Sequence, residues 1–159
     1  MPRKSKIDKT DLKILKILQE RGRITNLQLS KEIVLSPAPT LERVKKLERA
    51  GIIRSYHARV NPSDLGLGVQ AIIQVTLARQ MADPIQKFVT QINALAEVME
   101  CYQTTGAFDY ELRVITKDIT HFNQFITEKL SQIEEIGEFQ SSIILDTIVH
   151  SSVLPLDYD

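Results

Sequence analysis

A single cysteine, Cys101, stands in 159 residues, so no internal disulfide and no thiolate metal site is available, in keeping with a reducing compartment. No stretch of roughly 18 apolar residues exists to span a bilayer. The opening "MPRKSKIDKTD" lacks the apolar segment of a secretory signal. A cytoplasmic protein without a membrane partner is expected. Three histidines, His57, His121 and His150, are scattered without metal-ligand spacing. There is no Walker-A loop, and "GLG" at 66–68 lacks the third glycine of a dinucleotide fingerprint. With no base evident beside Cys101, neither catalysis nor a metal or cofactor is expected.

Net charge is also absent, but only as a sum. Residues 1–61 hold 15 Lys+Arg against 6 Asp+Glu, a net of +9, and residues 62–159 hold 5 against 14, a net of −9. A basic module suited to a polyanion joined to an acidic module with another task is the natural reading, with two solvated surfaces as the plain alternative. Asn61-Pro62 and the glycines of "GLG" mark a linker over 62–68, separating a domain at 1–61 from one at 69–159.

In the basic module, Leu12, Ile14, Leu15, Ile17 and Leu18 recur at helical offsets and predict a first helix ended by Gly22. Thr25 and Gln28 have capping-box spacing for a second helix over 26–33. After the short Val34-Leu35 connection, Ser36 is placed to cap a third helix with Pro37 at its first position and Pro39 still in its first turn. Leu41, Val44 and Leu47 form its apolar stripe, leaving Ala38, Pro39, Thr40, Glu42, Arg43, Lys46 and Arg49 outward. Two short helices joined by a tight turn behind a stabilising helix make a helix-turn-helix, whose second member lies in the major groove of double-stranded DNA. Ser36, Thr40 and Arg43, with Pro39 beside them, are the candidates nearest base edges. Lys46, Arg49, Arg21 and Arg23 are candidates for phosphate. Taken singly, each cation reads equally as a solvated surface residue. "IIRSYHARV" at 52–60 alternates as a connecting strand would.

The acidic module changes period. Val69, Ala71, Ile73, Val75 and Leu77 alternate as a strand covered on one face. Asp83-Pro84 opens a helix buried through Ile85, Phe88, Val89, Ile92 and Leu95. A strand over 98–105, a turn at Gly106 and a strand through "DYELRVIT" follow. Asp118 then caps a helix burying Ile119, Phe122, Ile126, Leu130 and Ile133, and a last strand spans 138–150. The order βαββαβ predicts an α+β chain: an N-terminal helix-turn-helix, winged-helix-like, plus a C-terminal ferredoxin-like domain. Its helices leave one sheet face to be covered, and another copy of the chain is an economical cover.

Three stretches, "DKTDLKILKILQERGRITNLQLSKEI", "LSPAPTLERVKKLERAGII" and "TTGAFDYELRV", occur in the order found in the Lrp/AsnC, or feast/famine, transcription regulators. Over residues 7–153 the chain resembles that family, most closely its leucine-responsive type. The resemblance implies a DNA-binding N-terminal domain, a C-terminal domain for dimerisation and higher assembly into tetramers or octamers, and a small amino-acid effector, leucine or methionine-like. It places the effector turn at Thr105, Gly106, Asp109 and Tyr110, and further response positions at Ile119, Ser142, Ile143 and Ile144. A carboxylate such as Asp109 suits an α-amino group, and backbone N–H groups at a glycine turn suit an α-carboxylate. Asp109 as an ordinary turn-capping carboxylate is the competing reading.

Three features depart from the family pattern. Val34 stands where glycine is frequent between the second and third helices, and because a β-branched residue resists positive φ, a negative φ is expected there. "IEEIGEF" lacks a Pro-Gly before the last strand. Ser142 is small where the leucine-responsive type carries an aromatic. Two other functional classes fit the fold: a ferredoxin-like domain serving catalysis, against which the missing catalytic parts speak, and a helix-turn-helix used only as a protein scaffold, against which the +9 module speaks.

Overall fold

The computed structural model describes residues 7–78 and 82–156; most of the segment read for a secretory signal lies outside them. The chain divides into two compact units, Met1–Arg59 with Val149–Asp159, and Val60–Ile148. This differs from the expected division, because the described C-terminal residues from Val149 onward belong with the helical unit.

The first unit holds α1 (Lys9–Glu20), α2 (Asn26–Ile33) and α3 (Pro37–Arg49). Its core is Ile14 and Ile17 of α1, Leu29 and Ile33 of α2, and Leu47 of α3, with Val44, Ile52 and Ile53 packed against them. Both helix starts are fixed by reciprocal capping boxes, Thr25 with Gln28 as the spacing predicts, and Asp8 with Asp11 at α1. Ser36 occupies the N-cap of α3, but its side chain makes no capping bond. Proline contributes to this: with Pro39 at the third helical position, one of the two N–H groups that a cap side chain serves does not exist.

Val34 overturns its expected geometry. Its φ is 59° and ψ 49°, and it is the one non-glycine residue with positive φ among the described residues. The Leu35 N–H donates to the Ser30 carbonyl (2.9 Å) and the Val34 N–H to the Lys31 carbonyl (3.3 Å). These are the paired bonds of a Schellman ending, which demands a left-handed residue at this position. The need to stop α2 and restart as α3 within three residues outweighs the β-branched penalty.

The strand expected over 52–60 is not formed. No neighbouring strand of this unit offers it a ladder, and its backbone is tied elsewhere: the Ile52 and Ile53 N–H groups both donate to the Leu47 carbonyl (3.0 and 3.2 Å).

The second unit contains β1 (Val69–Leu77), α4 (Ala82–Asn93), β2 (Val98–Gln103), β3 (Tyr110–Thr116), α5 (Ile119–Gln124) and β4 (Ile136–Ile143). Its sheet is antiparallel in the order β2-β3-β1-β4, the expected ferredoxin-like arrangement. Alternate residues Ala71, Ile73, Val75 and Leu77 of β1 and Tyr110, Leu112 and Val114 of β3 meet Phe88 and Ile92 of α4 and Phe122 and Phe125 beyond β3. The second helix is broken where one continuous helix was expected: α5 passes into a π turn at Phe125–Lys129 and a 3₁₀ turn at Leu130–Gln132. The π turn admits an extra residue, which lets Phe122, Phe125 and Leu130 all reach the core. The last strand ends seven residues early. Ile143 pairs with Ala71 and the Ile144 N–H donates to the Gln70 carbonyl (2.8 Å), after which β1 has no more backbone to offer.

Replacing Val34 with glycine is expected to raise stability by about 0.5–1 kcal/mol, since the left-handed Cβ penalty exceeds the entropy that glycine adds to the unfolded chain. The Val34 side chain is 83% exposed, so little burial goes with it. Chemical denaturation of Val34→Gly checks this; an unchanged or lowered midpoint contradicts it.

Candidate nucleic-acid interface

The orientation of α3 is set by a buried carboxylate. Asp11, on the first turn of α1, is fully buried. A carboxylate in that position must be matched by donors, because desolvation otherwise costs several kcal/mol per ion, a scale of about 3–5 kcal/mol when one partner is removed. Arg43 of α3 supplies the match: its Nη1 donates to Asp11 Oδ1 and to Asp8 Oδ2, each at 2.7 Å. Lys46 Nζ lies 3.5 Å from Asp11 Oδ2. The Asp11 N–H, together with Arg43, holds the Asp8 carboxyl below its usual range, and the two carboxylates raise the Arg43 guanidinium in turn.

This fixes which residues α3 presents. Thr40 lies at 0% exposure and its hydroxyl donates to the Ser36 carbonyl (2.9 Å), so it is withdrawn from the groove-facing set. Arg43 is turned toward α1, where it bonds Asp8 and Asp11 and so positions α3. The inner stripe is therefore Thr40, Val44 and Leu47, turned part of a step from the expected stripe, and Leu41 is 41% exposed. A hydroxyl that bonds its own helix packs like a valine, which the polar residue type concealed.

Opposite that stripe, helical geometry presents Ala38, Pro39, Glu42, Lys45, Lys46 and Arg49. Lys45, which is not among the candidates drawn from the sequence, belongs here; the correct inner stripe would have revealed it. Lys45 and Arg49 are paired only loosely with Glu42, at 3.7 and 3.8 Å. Ser36 and Pro39 are exposed at the leading end. Arg21 is bonded to Glu32 of α2, whereas Arg23 is exposed and has no ion pair among the described residues. The angle between α2 and α3 is pinned by Asn26 Nδ2, which donates to the Pro37 carbonyl (2.8 Å). On the far side of α3, the Tyr56 hydroxyl donates to Glu48 (3.0 Å), and burial with that carboxylate pushes its pKa up to about 12.

The expected effector residues do not converge. Thr105 and Gly106 are exposed in the β2–β3 turn, where Gly106 has φ 122°. Asp109 closes that turn: its N–H donates to the Val75 carbonyl, its carbonyl accepts from Thr104, and its Oδ2 accepts from the Leu77 N–H, all at 2.9 Å. Tyr110 is buried with its ring centroid 4.7 Å from that of Phe88, and burial raises its hydroxyl pKa. It belongs to the core rather than to a ligand surface. Ile119, Ser142, Ile143 and Ile144 lie at the other end of the sheet, where Val69 pairs with Thr116 and Ala71 with Ile143. From Ala71 to Leu77 the strand rises about 20 Å. None of the eight lines a cavity of about 470 Å³ in this unit, walled by Met99, Ile115, Phe125, His121, Glu97 and Lys129 among others.

Among the described residues, no helix is long and apolar enough to cross a membrane, and no cluster of three His, Cys, Asp or Glu is placed to hold a metal ion.

With this geometry in hand, comparison with known proteins is informative. Residues 7–54 match the family described as winged helix-turn-helix DNA-binding, and residues 70–154 match the Lrp/AsnC ligand binding domain. The leucine-responsive regulatory protein of Haemophilus influenzae is 34% identical over 97% of this chain and 93% of its own length. The transcriptional regulator AzlB of Bacillus subtilis is 38% identical over 95% and 96%. Among solved structures, a transcriptional regulator from Neisseria meningitidis in complex with L-Met superposes with a TM-score of 0.91 at 41% identity, covering 96% of this chain and 98% of that one.

Substituting Lys45 and Arg49 together with alanine is expected to flatten the dependence of log affinity on log salt by about 0.9 for each phosphate no longer neutralised, with the fold intact. Titration of a labelled duplex across salt concentrations measures it. An unchanged slope removes this face of α3 from the interface.

Proposed function

Because the chain belongs to the Lrp/AsnC family of transcriptional regulators, we propose that it binds double-stranded DNA through the outward face of α3 and adjusts that binding to a small amino acid. The observation that carries the first part is the division of cations on α3. Arg43 is committed to Asp11 and Asp8 and Lys46 shares Asp11 at 3.5 Å, and this leaves Lys45 and Arg49, with the outer part of Lys46, along the side facing away from the core. Phosphates would be met by these cations, with Arg23 and Arg21 before α2, while Ser36, Ala38 and Pro39 approach the bases at the leading turn. Small side chains there let the backbone come close. A homodimer would present two such helices to half-sites about 34–36 Å apart.

The second part rests on the separation of the response positions. Thr105, Gly106 and Asp109 stand at one end of the sheet and Ile119 with Ser142–Ile144 at the other, so one chain cannot surround a ligand with both sets. A site built from both requires two copies, and ligand binding then favours one assembly over another. Tetramers and octamers are the assemblies this reading anticipates, in the cytoplasm. Exposed N–H groups at the Gly106 turn would receive the α-carboxylate. The L-Met complex of the Neisseria regulator supports methionine, with leucine, as the first ligands to try. Such a function needs no catalytic group, and none is proposed.

Thr105→Asp tests the ligand site without disturbing the bonds that Asp109 makes to β1. A carboxylate at that exposed position repels the α-carboxylate. The variant is expected to keep the unfolding midpoint of the wild-type chain and to lose the rise in midpoint produced by methionine or leucine. Retention of the rise places the ligand elsewhere.

A further inference from the structure

The rear of α1 is covered by the other end of the chain. The Leu154 N–H donates to Gln19 Oε1 at 2.7 Å, joining residues 135 apart in sequence. Leu154 and Leu156 line an apolar hollow of about 330 Å³ together with Leu12, Leu15, Ile52 and Ile53. Leu12 and Leu15 face this hollow from α1, whereas Leu18 borders both it and a second hollow shared with Asn26 and Leu29 of α2. Pro155, which has no N–H to satisfy, keeps the segment extended. Gln19 Nε2 is buried without a hydrogen-bond partner, so the tail bond is what this half-buried amide gains by facing the protein.

The origin of this segment gives the contact its interest. β4 ends at Ile143, the Ile144 N–H makes the last bond to β1, and Val149 already belongs with the helical unit. Only the stretch 145–148 intervenes. It holds Leu145 at 97% exposure and Ile148 at 83%, so it is not anchored by burial. In sequence, residues 145–148 therefore join the β4 end, which carries Ser142–Ile144, to the segment that rests on α1, and α1 in turn holds α3 through Asp11.

We propose that residues 149–156 form a strap that docks in cis on the outer flank of α1, where Leu154 stays 67% exposed and Leu156 is half-buried at the rim of the apolar hollow, and transmits displacement of the β4 end to α1. Docking is a property of the chain alone; transmission rests on the effector reading given above. A strap of this kind is a second, non-covalent link between sensor and reader, besides the covalent connection near residue 60.

The test uses the full-length chain. Leu154→Pro deletes the donor to Gln19, and Leu156→Asp sets a carboxylate against the apolar hollow. The double variant is expected to exchange the amide hydrogens of α1 about tenfold faster than wild type while those of β1 and β3 are unchanged. Equal protection of α1 in both proteins overturns docking. In a Cys101→Ser background, Gln19→Cys with Leu154→Cys is expected to give, on mild oxidation, a cross-link within one chain that runs as a monomer on a non-reducing gel. A covalent dimer, or no cross-link, overturns docking in cis. For transmission, the double variant is expected to bind methionine or leucine and duplex as wild type does, but to lose the change in duplex affinity on adding amino acid. Retention of that change overturns transmission. If duplex affinity of the wild-type chain ignores amino acids, transmission falls with the effector reading, and docking is still decided by exchange and cross-linking.

Discussion

A carboxylate at zero exposure, Asp11, is the constraint that orients α3 against α1. Its oxygens must be met by donors of fixed geometry. The guanidinium of Arg43 and the ammonium of Lys46 meet them from α3, with the Asp8 N–H (3.3 Å) closing the set. Apolar packing between α1 and α3 would tolerate rotation of either helix about its axis, because leucine and valine are satisfied by many neighbours. A bidentate-capable cation on a buried anion is not so tolerant. The pair thus determines which face of α3 looks outward, and the outward face determines what the unit can bind.

The same economy shows elsewhere. Arg43 has the residue type and position that invite a role in base recognition, yet the structure uses it to hold the reading helix in place. Asp109 likewise suits an amino group by its chemistry, and the structure uses it to tie the β2–β3 turn to the end of β1. In each case a charged residue near a functional surface is committed to geometry, and the surface itself is left to neighbours with fewer internal bonds. Charge alone therefore misleads about contact: what matters is whether the group has already been claimed by the fold.

Much of the architecture was legible in the sequence for a physical reason. Period-3.6 and period-2 patterns report burial on one face, and the three helices of the first unit and the four strands of the second follow them closely. The errors fall where a residue is governed by something other than its own propensity. Val34 adopts a left-handed conformation because the hydrogen bonds of the helix ending require it. Thr40 is buried because its hydroxyl is satisfied within the helix, so it takes the inward place expected for Leu41, turns the stripe part of a step and brings Lys45 to the outer face. The segment 52–60 alternates as a strand does but lacks a ladder partner in its unit. The segment after Ile143 is expected to continue the last strand, yet β1 ends first. The capping box of Asp8 and Asp11 has a spacing that the sequence displays openly, and weighing it would have identified the partner of Arg43.

The central claim is that Arg43 positions α3 and does not itself contact phosphate. Exchanging the buried pair for apolar residues of similar volume, Asp11→Leu with Arg43→Met, retains packing between α1 and α3 while removing the guanidinium, a replacement that buried ion pairs often tolerate. The decisive measurement is the slope of log duplex affinity against log salt for this variant beside wild type. Because the apolar pair no longer fixes the rotation of α3, a weaker duplex affinity with an unchanged slope is predicted; a slope shallower by about 0.9, the value for one phosphate left without its cation, or an affinity equal to wild type, would contradict the account.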